Sequence, residues 1–131
     1  MTLWIILVLA LYVVQTLLPT TAQWVAGPDG FQWHAALGGR DNPPTMSVVG
    51  ARLQRAQRNM EESLFVFLPL AILLDLKQPP SELATTAAAI FFVARLLYVP
   101  AYASGIPGLR SVIWCIGFAA NLCMAKALLV F

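Results

Sequence analysis

The stretch GARLQRAQRNMEESLF, residues 50–65, places charged and amide side chains directly before a long apolar run, VFLPLAILL. On a helix of 3.6 residues per turn, one narrow face of this stretch carries four polar residues, Arg52, Arg55, Asn59 and Glu62. The purely apolar part of the helix, Leu64–Leu74, has only eleven residues, whereas about 20 are needed to cross a bilayer. The polar face must therefore enter the membrane if this helix is to span it.

The composition of the whole chain indicates an integral membrane protein. Of the 131 residues, 60% are hydrophobic and 11% are charged, whereas soluble domains usually have about 25% charged residues. This length accommodates four spans of about 20 residues with short loops, and no second domain. The net charge of +2 is small, and no basic run suggests a nucleic-acid partner. We therefore predict one all-α membrane domain that occupies residues 1–131.

Four apolar segments separated by turn-forming residues define the predicted topology. The expected helices cover residues of about 3–21, 46–76, 82–103 and 108–131. Pro19 and the two threonines after it are expected to mark the end of the first helix, and Ser81 is expected to cap the third. The second helix has three candidate starts, Asn42, Thr45 and Ser47. Because the later connections are short, the helices are expected to form an antiparallel four-helix transmembrane bundle. The N-terminal apolar run has no preceding Lys or Arg, so we expect a retained helix rather than a signal peptide.

The distribution of Lys and Arg predicts the orientation in the bilayer. Five arginines lie in or near the first and third connections, at positions 40, 52, 55, 58 and 110. The opposite side has only Lys77 and Lys126. By the positive-inside rule, loops one and three are cytoplasmic and both termini lie on the opposite side.

The two cysteines are expected to be packing residues. Cys115 and Cys123 are eight residues apart in one apolar segment, which separates them by roughly 12 Å along a helix. The Cα atoms of a disulfide lie within about 7 Å, so these two cannot pair within one helix. They also lack metal-ligand spacing, and we expect no metal site.

A second polar face lies on the third helix, where Arg95, Tyr98 and Tyr102 follow one another at spacings of three and four. A charge at the centre of a membrane helix costs about 2.5–3.5 kcal/mol, so such residues should face protein or a water-filled cavity. One interpretation is structural: Arg58 and Glu62 are spaced to pair, and Arg95 could reach across. The other is ligand binding, because the only nearby acidic partners are Glu61 and Glu62, whereas there are five arginines, at positions 52, 55, 58, 95 and 110. Guanidinium groups bind carboxylates in bidentate fashion, so this surplus favours an anionic ligand.

Three segments carry a resemblance to a known family. RAQRNMEESLFVF resembles the helix-two signature R-A-x-x-N-x-x-E of the MAPEG family, the membrane-associated proteins in eicosanoid and glutathione metabolism. ARLLYVPAY resembles the helix-three segment in which two tyrosines follow an arginine, and LRSVIW resembles the stretch around a catalytic arginine and serine. The likeness runs from about Asp41 to the C-terminus. The loop Gly-Arg-Asp-Asn-Pro-Pro is more like that of bacterial members.

The resemblance implies homotrimers of four-helix subunits, with glutathione as co-substrate between neighbouring subunits near the cytoplasmic face. Glutathione would be bound by Arg55, Gln57, Asn59, Glu62, Tyr98 and Tyr102. Arg110 would stabilise the thiolate with help from Ser111. Arg52 and Arg95 would support the charge network.

The resemblance thus implies a glutathione-dependent transferase or peroxidase that acts on lipophilic small molecules from the bilayer. A free thiol with a pKa near 8.5 is only about 3% ionised at pH 7, so a nearby guanidinium would increase its reactivity. Two alternatives remain. One is a non-catalytic lipid- or partner-binding membrane protein of the same fold. The other is a small four-helix drug exporter. Such exporters generally place an intramembrane glutamate in the first helix, whereas here Gln15 is its only mid-span polar residue, so this alternative is disfavoured.

Overall fold

The computed structural model describes residues 1–26, 37, 45–77 and 79–130. In these residues every regular element is an α-helix: α1 (Thr2–Ala26), α2 (Val48–Leu76), α3 (Glu82–Ser104) and α4 (Leu109–Leu129). α1, α3 and α4 contain segments long and apolar enough to cross a membrane, namely Thr2–Val25, Glu82–Ser104 and Leu109–Leu129. α2 is the longest helix, with 29 residues, but charged residues occupy its first half. The predicted all-α membrane bundle is confirmed.

Polar contacts at one end of the bundle link each chain end to the end of α2. The N-terminal ammonium lies 3.3 Å from Asp75 Oδ1, and the backbone N–H and hydroxyl of Thr2 donate to the same carboxylate at 3.1 and 2.9 Å. Lys77 Nζ donates to Leu128 O at 2.9 Å. We call this end, which holds Met1 and Leu128, the terminal end.

The opposite end holds the start of α2 and the connection from α3 to α4, and we call it the turn end. Here Gln23 of α1 bridges two backbone groups: its Nε2 donates to Thr45 O at 2.7 Å, and its Oε1 accepts from Ser47 N at 2.9 Å. Ser47 also caps α2, since its Oγ accepts from Gly50 N at 3.0 Å. Of the candidate starts, Ser47 is therefore the cap, and Asn42 lies outside the described residues.

Prolines lie inside three of the helices, at positions 19, 69 and 100. The expectation that the first helix ends at about Thr21, at Pro19 and the two threonines, is wrong, because α1 continues five residues further to Ala26. A proline removes one backbone hydrogen bond, but neighbouring groups in a membrane helix compensate for that loss. The predicted cap of α3 is confirmed, because Ser81 Oγ accepts from Ala84 N at 3.2 Å.

All four helices contribute to the core, and α1 supplies the fully buried Val8. Phe67 of α2 stacks on Phe91 of α3 with ring centroids 4.3 Å apart, and both side chains are fully buried. The buried face of α3 is rich in alanine: Ala84, Ala87, Ala88, Ala94 and Ala101. Small side chains allow membrane helices to approach closely. This close packing fixes the ends of α3 and α4 relative to each other, and the candidate site lies at the turn end between them.

Candidate functional site

A cavity of about 430 Å³ opens at the turn end, between the first turns of α2, the last turns of α3 and the start of α4. Its lining consists of Arg52, Arg55, Ala101, Tyr102, Gly105, Ile106, Pro107, Gly108, Arg110 and Ser111. Three of these residues are arginines and none is acidic. Small-molecule sites commonly have volumes of about 300–1,000 Å³. The cavity therefore has the size and the charge to accept a small anion.

Tyr102 lies between two of the arginines. The guanidinium carbon of Arg55 is 6.0 Å from the centre of the Tyr102 ring, and that of Arg110 is 5.2 Å away. Both distances are within the range of cation–π contacts. Arg55 and Arg110 are exposed, and neither forms an ion pair with a carboxylate of the described residues. The Tyr102 ring thus contacts two guanidinium groups from different helices at the same cavity and leaves their positive charges in place.

The start of α4 adds positive potential to the same cavity. The N-cap residue is Gly108, and no side chain caps this end of the helix. The backbone N–H of Ser111 bonds Gly108 O at 3.0 Å, so the N–H groups of the residues between them have no partner within the helix. A helix N-terminus carries about half a positive charge. Arg110 and Ser111 are both exposed in this first turn, where an anion would meet the helix end.

A second polar group lies deeper, in the middle of the bundle. Arg95 is 3% exposed, and its Nη1 donates to Asn59 Oδ1 at 2.8 Å. Its guanidinium also lies over the rings of Phe91 and Tyr98, at 5.1 and 5.5 Å from their centres. No carboxylate of the described residues pairs with it. Arg95 is therefore a buried cation that is held by one amide oxygen and two ring faces.

Two buried polar atoms have no hydrogen-bond partner among the described residues: Arg95 Nε and Asn121 Oδ1. Gly117, one turn before Asn121 on α4, lies against the Arg95 guanidinium, since a Cβ there would be 3.3 Å from Nη2. Two tyrosines connect Arg95 to the cavity, since Tyr98 contacts Arg95 and Tyr102 lines the cavity. The rings of Tyr98 and Tyr102 pack edge to face with centroids 5.5 Å apart.

The remaining predicted site residues lie away from the cavity. Gln57 Nε2 donates to Glu61 Oε1 at 3.3 Å, and the same oxygen accepts from the Tyr12 hydroxyl at 3.2 Å. Gln57 therefore takes part in the contact between α1 and α2. Glu62 is exposed and does not line the cavity. The spacing of Arg58 and Glu62 suggested an ion pair, but within the described residues these two do not pair.

Five of the predicted site residues line the cavity: Arg52, Arg55, Tyr102, Arg110 and Ser111. The sequence did not predict that Asn59 would be the partner of Arg95, because helical periodicity identifies a face and not the residue opposite it. It also missed the lining residues of the connecting turn, Gly105 to Gly108. The signal that could have identified this turn is the pair of glycines around Ile-Pro, both of which have positive φ.

The sequence model of the MAPEG family matches residues 1–130, essentially the whole chain. No curated protein and no solved structure shows significant similarity. The match extends the resemblance seen in α2, α3 and α4 to α1 and the first connection. With its membrane-spanning helices, the chain is an integral membrane protein that belongs to the MAPEG family.

Proposed function

We propose that the protein is a glutathione-dependent transferase or peroxidase that acts on lipophilic electrophiles. The observation that carries this proposal is the cavity at the turn end, which three arginines line without any acidic residue. Glutathione has two carboxylates, and guanidinium groups bind carboxylates through paired hydrogen bonds. Arg55 is exposed at this cavity and is suited to hold a carboxylate of glutathione. The family includes glutathione transferases and related enzymes.

In this proposal Arg110 activates the thiol. Its guanidinium and the N-terminus of α4 both favour a negative charge. If they lower the pKa of the glutathione thiol by about two units, they contribute roughly 2.7 kcal/mol to thiolate stability. Most of the bound sulfur is then ionised at pH 7 and attacks an electrophile that arrives from the lipid. The hydroxyl of Ser111 lies beside Arg110 and can donate a further hydrogen bond to the sulfur.

The same proposal includes a homotrimer with the turn end in the cytoplasm. Arg55, Arg58 and Glu62 are exposed on the single subunit, on a helix whose apolar part is too short to span alone. Each would cost about 2.5–3.5 kcal/mol against lipid at mid-membrane depth. A neighbouring subunit that covers this face removes the cost, and Glu62 then supplies an acceptor for the ammonium of glutathione bound between the subunits.

Titration calorimetry of the detergent-solubilised protein with glutathione tests the binding step. We expect saturable binding that is weakened at least tenfold by Arg55→Ala and less by Glu62→Gln. Arg58→Ala is the matched control, because Arg58 is an exposed arginine of the same helix that does not line the cavity. Absence of saturable binding by the wild type at millimolar glutathione would refute the proposal, and equal losses for Arg55→Ala and Arg58→Ala would refute the assignment of the site.

A second candidate is a ligand-binding member of the fold that does not turn over substrate. It is favoured by the position of Gln57 and Glu62, which lie outside the cavity. Ultraviolet difference absorbance separates the two candidates, because a bound thiolate absorbs and a bound thiol does not. A thiolate signal in the wild type that is lost in Arg110→Ala supports the enzyme, whereas saturable binding without this signal supports the second candidate.

A further inference from the structure

We propose that Arg52 is a positioning residue that clamps the turn from Gly105 to Gly108 and thereby sets the place of Arg110 at the cavity. The catalytic consequence rests on the proposed function, while the clamp itself is a structural claim that can be tested without glutathione.

The first observation is a hydrogen bond between two helices. Arg52 Nη1 of α2 donates to the carbonyl oxygen of Ala103 at 3.0 Å. Ala103 lies in the last turn of α3, where carbonyl groups have no partner within the helix. A cation at a helix C-terminus is also favoured by the helix dipole. Arg52 therefore caps α3 from a neighbouring helix and links the start of α2 to the end of α3.

The second observation is the fit of this guanidinium against Gly105, the C-cap of α3. Gly105 has a left-handed backbone with φ of 71°. A Cβ added there would lie 2.5 Å from Cζ and from Nη1 of Arg52. The guanidinium thus fills the space that a side chain at this position would need. Only glycine combines this backbone conformation with this contact.

Gly108, at the other end of the turn, shows that the contact is specific to Gly105. It also has a positive φ, of 82°, but a Cβ added there would meet nothing within 4 Å. Both glycines therefore satisfy a backbone requirement, and only Gly105 is pressed against a charged side chain.

The clamp matters because the turn is short. Four residues connect α3 to α4, and Arg110 is the second residue of α4. Fixing the first residue of this turn therefore fixes where α4 starts, and with it the 5.2 Å contact between Arg110 and the ring of Tyr102. A displacement of about 1 Å in a catalytic group can reduce a rate about 100-fold. Arg52 acts on the reaction through this geometry.

A double-mutant cycle of thermal unfolding tests the clamp in the detergent-solubilised full chain. Gly105→Ala retains every charged group but forces the Arg52 guanidinium away, and we expect the Tm to fall by about 5 °C. In the Arg52→Ala background the same substitution meets no guanidinium, so we expect half that shift or less. Gly108→Ala measures the cost of a positive φ alone. An equal shift from Gly105→Ala in both backgrounds would overturn the proposal.

Turnover tests the positioning role. Gly105→Ala should keep the Kd for glutathione within about threefold and lower kcat at least tenfold, because the displaced Arg52 guanidinium bonds Ala103 O rather than glutathione, whereas the shifted turn moves Arg110. Arg52→Lys in the Gly105→Ala background should recover part of kcat, since an ammonium is smaller than a guanidinium and still donates to Ala103 O. An unchanged kcat, or equal losses in kcat and binding, would contradict positioning. Failure of the wild type to bind glutathione would refute the proposed function alone, and the Tm cycle would still decide the clamp.

Discussion

Replacing Asn59 with leucine should destabilise the bundle, because it removes the hydrogen-bond acceptor of a buried cation. Among the described residues, Asn59 Oδ1 is the one hydrogen-bond partner of the Arg95 guanidinium, at 2.8 Å. Arg95 is 3% exposed, so water does not replace a lost acceptor easily. Hydrogen bonds to charged groups contribute about 1.5–3 kcal/mol, whereas side-chain bonds between membrane helices average about 0.6 kcal/mol. We therefore expect Asn59→Leu to cost about 2 kcal/mol.

Asn121→Leu is the matched control for this substitution. Leucine has the same branching and the same number of heavy atoms as asparagine, and Asn121 is also in the interior, with 4% exposure. Its Oδ1 has no hydrogen-bond partner among the described residues. An unsatisfied buried acceptor is unfavourable by about 1–3 kcal/mol. Removing it should leave the free energy of unfolding unchanged or raise it.

The assay is reversible unfolding of the solubilised protein in mixed micelles, followed by far-ultraviolet circular dichroism. The double variant Asn59→Leu with Arg95→Met removes the cation together with its partner, and we expect it to recover most of the lost stability. A cost below about 0.6 kcal/mol for Asn59→Leu would contradict the assignment of Asn59 as the group that stabilises the buried charge of Arg95. So would an equal cost for Asn121→Leu, since removing an acceptor without a described partner would then cost as much as removing the acceptor of Arg95.

Three further predictions follow from other contacts. Arg110→Ala should lower kcat by about 100- to 1,000-fold in a steady-state conjugation assay with a lipophilic electrophile; an unchanged kcat would exclude thiolate stabilisation by this residue. Gln23→Leu should cost about 1–2 kcal/mol in the same unfolding assay, because Thr45 O and Ser47 N both lose their partner; a neutral result would mean that water replaces it. Ser81→Ala should cost about 1 kcal/mol through loss of the α3 cap, and Ser81→Asp, which can also cap, should restore stability.

The fold was predictable because it follows from length and polarity. The number of apolar segments and the short later connections predicted the bundle. The capping preference of serine predicted that α3 starts after Ser81. The end of α1 was not predictable from Pro19 alone. In water a proline inside a helix is strongly unfavourable, but in a membrane an unfolded turn would leave more backbone groups unsatisfied, so the helix continues through it.

The resemblance predicted the candidate site residue by residue, but only part of that set meets at the cavity. Arginine, tyrosine and serine were expected to meet, and the cavity contains Arg55, Tyr102, Arg110 and Ser111. The partners across helices were not predictable, because they depend on the register of one helix against another. Gln57 illustrates this point. Its amide donates to Glu61, one turn further along α2, and the same Glu61 oxygen accepts from Tyr12 of α1, a partner that no periodicity in α2 identifies.

The polar face of α2 shows why the sequence alone could not distinguish residues that stabilise the bundle from residues that are available to a ligand. Arg52 and Asn59 are seven residues apart, which places them within about 20° on the helix, and both bond α3. Arg55 and Glu62 have the same spacing, are offset from the first pair by about 60°, and are both exposed. An offset of 60° is smaller than the width of an ordinary helix face, so the four residues formed one group in the sequence. The first pair holds the subunit together, and the second pair is free to meet a ligand or a neighbouring subunit. Substitutions in the first pair should therefore change stability first, and substitutions in the second pair should change binding first.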